Sequence, residues 1–137
     1  MTSQLNVDTI VDKAGSGGTN IKVGNTATYV GDGGSGTQNT VQSLVKFWMQ
    51  ADLSSMSYDD SFNASSATDT ATGQMTSAFT NNFSNASYSI TGASNSGDAS
   101  VYNGAQTTSQ WRTFMRSESN ADTDASFGGY MIAGDLA

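Results

Sequence analysis

Cysteine, histidine and proline are all absent from the 137-residue chain. Without cysteine there is no disulfide framework and no thiol nucleophile; without histidine the usual zinc ligand and the usual general base go too. Catalysis therefore has little to build on, and the expectation is a nonenzymatic protein with no cofactor and no metal. Proline makes up about 5% of an average soluble protein. Its absence suits strands joined by Gly, Ser and Asn turns and argues against a proline-rich linker.

Positive charge is scarce as well. Lys13, Lys22, Lys46, Arg112 and Arg116 form no dense run, and the formal net charge is -7. Such a surface repels phosphate backbones, so no nucleic acid partner is expected. No apolar run approaches the roughly 18 to 20 residues that span a bilayer, and the opening MTSQLNVDTI lacks the basic and apolar regions of a signal peptide. The expectation is a chain without membrane insertion, kept in a cytoplasm or assembled there into a particle. Bulky apolar residues are also few: the hydrophobic fraction is 36%, much of it alanine. A monomer's core would be thin for one domain of this length, and association is the expected remedy.

What is present alternates with a period of two. Phe47, Met49, Ala51 and Leu53 fall on alternate positions, as do Met75, Ser77 and Phe79, so each run presents an apolar face and a polar one. Phe83, Tyr88 and Ile90 continue the strand signal, and the final strand, 129–133, sets Tyr130 and Ile132 on one face against Met131 on the other. Trp111, Thr113 and Met115 alternate with Arg112, Phe114 and Arg116, a strand with apolar residues on both sides that belongs inside a sheet or between subunits. Asp59-Asp60, Ser65-Ser66 and Thr72-Gly73 read as turns, and ITGASNSGDASVYNGA as a small, polar loop. One helical spacing competes: Val41, Leu44, Val45 and Trp48 stand at i, i+3, i+4 and i+7 with Thr40 as a candidate cap. It predicts a turn or two of helix before the strand, either a neck in which copies of the chain meet or a cover for one end of the sandwich; the alternative is that Val45 already belongs to the strand through Phe47 and Met49.

Lys46 and Trp48, followed by Asp60, Ser61, Phe62, Asn63, Ser65, Ser66, Thr68, Asp69, Thr72 and Gly73, make a KxW and a DSFNxSSxTDxxTG in order over about thirty residues. This stretch resembles a module of bacteriophage tail fibres and related virion appendages. It departs from the pattern at ADLSSMS, where family members carry a Gly/Thr-rich turn and an aliphatic strand. The opening TSQLNVDTIVDKAGSGGTNIKV is in turn similar to the N-terminal strand-turn-strand units of marine phage fibres. The resemblance implies an all-β fold, an antiparallel β-sandwich preceded by a strand-turn-strand attachment segment, and a homotrimeric virion protein that docks on a phage tail or capsid protein and presents the sandwich to a host cell-surface glycan. Capsid decoration, or a head fibre without a receptor role, is the alternative.

The expected organisation is an attachment segment at 1–36, a neck at 37–45 and the sandwich at 46–137. Val41, Leu44, Val45, Trp48, Trp111 and Phe114 are the candidates for core or trimer interface, and Asp98, Tyr102 and Asn103 for receptor contact. Trp48 reads as a packing anchor rather than a sugar platform.

Three motifs do not survive their context. Gly31, Gly33 and Gly36 satisfy GxGxxG, but no long helix follows to complete a dinucleotide site. Asn120, Asp122 and Asp124 suggest a calcium loop, yet Ala125 and Met131 occupy the positions where an EF-hand needs Gly and Glu. Asp59 and Asp60 are adjacent, so in a strand they point to opposite faces and cannot flank one glycosidic bond.

Overall fold

The computed structural model describes residues 27–30, 36–101 and 105–136, and the chain divides into two compact units, Met1–Val41 and Gln42–Ala137. In the first, β1 (Thr28–Val30) pairs antiparallel with β2 (Thr37–Asn39). The Thr40 amide donates to the Ala27 carbonyl at 2.8 Å and closes this hairpin, and the Asn39 side chain accepts from the Val41 amide at 2.9 Å. The helical neck is not formed. Thr37–Asn39 commits its backbone to β1, and Val45 already belongs to the next strand, so only a turn remains between them. A nucleus that short fixes several residues for one hydrogen bond and cannot compete with two ladders.

The second unit is an antiparallel β-sandwich. Sheet I has the order β4-β3-β10-β7, built from β3 (Val45–Asp52), β4 (Ser57–Phe62), β7 (Ser89–Ser94) and β10 (Gly128–Ala133). Sheet II has the order β5-β6-β9-β8, built from β5 (Ala64–Ala71), β6 (Gln74–Phe79), β8 (Gly97–Val101) and β9 (Gln110–Ser117). Consecutive strands join the sheets at both edges: β4 passes into β5 through Asn63 alone, and β7 into β8 through Asn95 and Ser96.

Asn63 makes the first crossing with φ of 64°, a left-handed conformation that asparagine tolerates better than other side chains. Its Nδ2 donates to the carbonyls of Lys46 and Asn81, both at 3.0 Å, while its Oδ1 accepts from the Asn81 amide at 2.6 Å. The corner is thereby tied to β3 on one side and to the end of β6 on the other.

The alternating runs meet between the sheets. Phe47, Met49, Ala51 and Leu53 from β3 and the turn after it, Met75, Ser77 and Phe79 from β6, Trp111, Thr113 and Met115 from β9, and Tyr130 and Ile132 from β10 are all buried. Aromatic rings form one continuous chain through the core, from Tyr130 to Trp111, Phe47, Phe79, Phe83 and Tyr88, with successive centroids 4.6 to 5.9 Å apart. Such pairs add to area burial, which matters where large side chains are few. β9 lies between β6 and β8, so its place inside a sheet agrees with its sequence.

Two turn readings and one loop reading are corrected. Asp59-Asp60 lies within β4 and Ser65-Ser66 within β5; the chain turns instead at 53–56, with Met56 at φ 51°, and at Asn63. Both strands are sheet edges with much of their surface in water, where polar residues are compatible with a ladder. The stretch read as a loop holds β7 and β8. Thr72-Gly73 does turn the chain, with Gly73 at φ 72°.

Candidate functional site

The residues that fill the core leave their alternates on the outer faces, and these two faces differ. Register defines sheet I residue by residue. Trp48 lies opposite Phe62 on β4 and Met131 on β10, and Met131 lies opposite Thr91 on β7. Phe62, Trp48, Met131 and Thr91 thus form a belt across all four strands. One step along, Asp60, Gln50, Gly129 and Ala93 form a second row by the same pairings.

The belt is apolar and open. Trp48 is 36% exposed, Phe62 53% and Met131 50%, and Phe127, at 37%, stands just before β10. Between the belt and Phe127 runs an open concavity of about 460 Å³, lined by Trp48, Gln50, Ala93, Phe127, Gly129 and Met131 among others. Gly129 supplies the floor. A Cβ placed there would meet only the Phe127 ring, at 3.6 Å, an ordinary contact. Nothing in the fold requires glycine at 129, whereas its neighbour Gly128 is pressed from inside by the Met115 side chain. An outward glycine of this kind marks a place where another group can approach the backbone closely.

The belt itself carries no charge; the carboxylates of this face stand on edge strand β4 and at the end of β3, where Asp52 begins the turn. Asp59 and Asp60 lie on edge strand β4, where a register shift leaves Asp59 as the extra residue and brings it to the outer face beside Asp60 instead of the opposite one expected from strict alternation. Asp59 Oδ2 accepts from Gln50 Nε2 at 3.1 Å and Asp60 Oδ1 accepts from the Ser61 amide at 2.8 Å. Lys46 is buried, with its ammonium donating to the Leu44 carbonyl at 3.2 Å; loss of hydration lowers its pKa, and the Asp135 carboxylate partly offsets this.

Sheet II differs. Among the described residues no large exposed apolar side chain lies on β5, β6 or β9. Arg112 Nε donates to Thr76 Oγ1 at 3.2 Å, and the Arg116 guanidinium lies 4.6 Å from the centroid of the Phe114 ring.

The expected site residues separate accordingly. Trp111 is core, fully buried, and Phe114 is half-buried on the outer face of sheet II. Leu44, Val45 and Trp48 are exposed around the start of sheet I, and Val41 is half-buried in the turn of the first unit. Their helical face does not exist; Val45 and Trp48, three residues apart on β3, are both exposed because a bulge shifts the register between Val45 and Phe47. Asp98 pairs with Arg116 in the β8–β9 ladder, while Tyr102 and Asn103 lie outside the described residues. Phe62, Phe127 and Gly129 were not among the residues expected from the sequence. Phe62 was legible as part of the DSFN run, and Gly129 as a glycine within a strand.

Among the described residues no group of three or more His, Cys, Asp or Glu side chains is placed to hold a metal ion. The calcium-loop residues are engaged elsewhere: Asn120 and Asp122 accept from Arg116 at 3.0 and 3.2 Å, and Asp124 accepts from the Gly73 amide at 2.6 Å. Also among them, no helix is long and apolar enough to cross a membrane.

Comparison with protein-family models, with characterised proteins and with solved structures finds no match.

Proposed function

We propose that this chain is a structural module of a bacteriophage virion, a short homotrimeric fibre that docks on the particle through residues 1–36 and turns its sandwich toward a host-surface glycan. The carrying observation is the uncharged belt of Phe62, Trp48 and Met131 on an otherwise polar, acidic chain. A patch of that kind is a protein contact surface more often than a free one. The run KFW…DSFN supplies the link to fibres, since Trp48 and Phe62 lie in the belt and Asn63 builds the corner beside it. Glycan contact falls to the loops, where many linked copies multiply a weak affinity. The function is nonenzymatic in this reading.

Immunogold labelling of intact particles tests the assignment. Label on tails supports the fibre, label on the shell moves the protein to capsid decoration, and particles without label defeat both. Glycan-array binding by the native protein, with no signal for any host-surface sugar, would remove the receptor role.

A further inference from the structure

We infer that the outer face of sheet I is where copies of this chain meet, with the Phe62–Trp48–Met131 belt at the centre of the contact and the Gly129 groove receiving a neighbour's side chain. The inference rests on the homo-oligomeric part of the proposed function and assigns it a surface.

Three observations carry it. The first is distribution. Within the second unit, Val45, Trp48, Phe62, Phe127 and Met131 are large, apolar and exposed, and all lie on sheet I or at its rim, with Leu44 and Leu136 in the segments that enter β3 and leave β10; Tyr29 and Val30, also exposed, belong to β1 of the first unit. Taking side chains of about 150–250 Å² each, the open fractions of the five residues on sheet I and its rim amount to roughly 400 Å² of apolar surface. That is within the range for the largest patch on a monomer, about 300–600 Å², a patch that is often functional, and about half of the ~800 Å² that each partner contributes to a standard interface.

The second observation is charge. Identical chains of net charge -7 repel one another wherever their carboxylates approach. The belt and the groove floor carry no ionisable group, and Asp59 and Asp60 stand at the β4 edge. An uncharged centre with a charged rim is the layout of a protein interface. The third is Gly129, whose missing side chain opens the groove without serving the fold. Around a three-fold axis, one face of each copy can touch both neighbours, which fits the trimer.

The test is the solution mass of the full-length chain by light scattering after size exclusion, over a hundredfold concentration range. Wild type should run at a multiple of 14.2 kDa. Met131→Lys places a charge in the belt at a half-exposed position, and Gly129→Glu places one in the groove where a Cβ has room; each should yield the single-chain mass with wild-type far-UV circular dichroism. Thr68→Lys, exposed on β5, should leave the oligomer intact. If Met131→Lys unfolds, Gly129→Glu decides. Two folded, charged variants that remain oligomeric would overturn the inference and leave the fibre reading standing on another surface. A wild type that stays monomeric at every concentration would overturn both. A monomer whose Trp48 emission is saturably shifted by a neutral oligosaccharide such as cellohexaose would assign the face to a sugar and equally sink the inference.

Discussion

Gly92 stands directly across the β7–β10 ladder from Tyr130, and the Tyr130 ring fills the space that a Cβ on Gly92 would need. The ring cannot easily yield, because its other side packs on Trp111 with centroids 4.9 Å apart. Gly92→Ala should therefore destabilise by about 1–3 kcal/mol, the usual cost of overpacking a core. Gly129→Ala, one ladder step away and facing outward, should be neutral or stabilise by up to about 1 kcal/mol through the less flexible unfolded chain. Urea midpoints of the two variants would check this; equal effects would mean that the ring moves aside freely.

The same pair explains what the sequence concealed. β3, β6, β9 and β10 were legible because each carries its own inward-facing large residues, Phe47 and Met49, Met75 and Phe79, Trp111 and Met115, Tyr130 and Ile132. β7 showed only Ile90 as a strand signal, since its next inward position at Gly92 is filled by a ring from its neighbour, leaving no apolar period to read. β4 and β5 look like turns because Asp59, Asp60, Ser65 and Ser66 are solvated edge residues, and edge strands tolerate what central strands reject. Of the outer face of sheet I, Trp48 was visible as a residue but not as a surface. Its neighbours Phe62 and Met131 are 14 and 83 positions away in the chain and become adjacent only through register.

Asn63 should be hard to replace, and the order of its variants is informative. Asn63→Ala forfeits the side chain's three hydrogen bonds to Lys46 and Asn81 and keeps a Cβ at positive φ, a combined cost of about 4 kcal/mol from roughly 1 for the conformation and 1 per bond. Asn63→Gly relieves the backbone and loses only the three bonds, about 3 kcal/mol. Asn63→Asp sets a carboxylate against two carbonyl oxygens and should be the worst of the three near neutral pH. Thermal melts that rank glycine below alanine would refute this account of the corner.

Two tyrosine hydroxyls should respond oppositely to removal. Tyr88 donates to the carbonyls of Thr107 and Gln110 at 3.0 and 3.1 Å, so Tyr88→Phe should cost about 1 kcal/mol. The Tyr130 hydroxyl is buried without a hydrogen bond, the Thr113 hydroxyl beside it lying outside bonding geometry. Tyr130→Phe should be neutral or stabilising, because a buried polar atom without a partner disfavours the fold. Chemical denaturation of both variants separates the cases.

Stability should be flat from about pH 6 to 9, since histidine and cysteine are absent, and should fall in alkali. Burial pushes the Tyr88 phenol up to about 12 and raises those of Tyr58 and Tyr130 as well. These groups hold their protons in the fold at pH values where an unfolded tyrosine, with a pKa of about 10, has lost its own. Their contribution is thus complete below about pH 10 and is lost as pH rises toward 12. Melting temperature followed from about pH 8 to 12 should decline only in that upper window, and less steeply in Tyr130→Phe. A decline already complete by about pH 9 would exclude the phenols as its cause.

Trp48 and Trp111 are the two tryptophans of the chain, and their environments make each a reporter of a different event. Trp111 is fully buried between Phe47 and Tyr130, while Trp48 stands in the open belt. Trp111→Ala should cost about 3–5 kcal/mol through transfer and cavity, whereas Trp48→Ala should cost less, about 1–2 kcal/mol, because Trp48 is 36% exposed and leaves no enclosed cavity on the outer face. If copies meet over sheet I, Trp48 becomes buried on association and Trp111 does not change. In a Trp111→Phe background, emission should then move to shorter wavelength and iodide quenching should fall as concentration rises, while a Trp48→Phe chain shows neither change. A Trp48 signal independent of concentration, in a sample whose mass is changing, would mean that the copies join elsewhere.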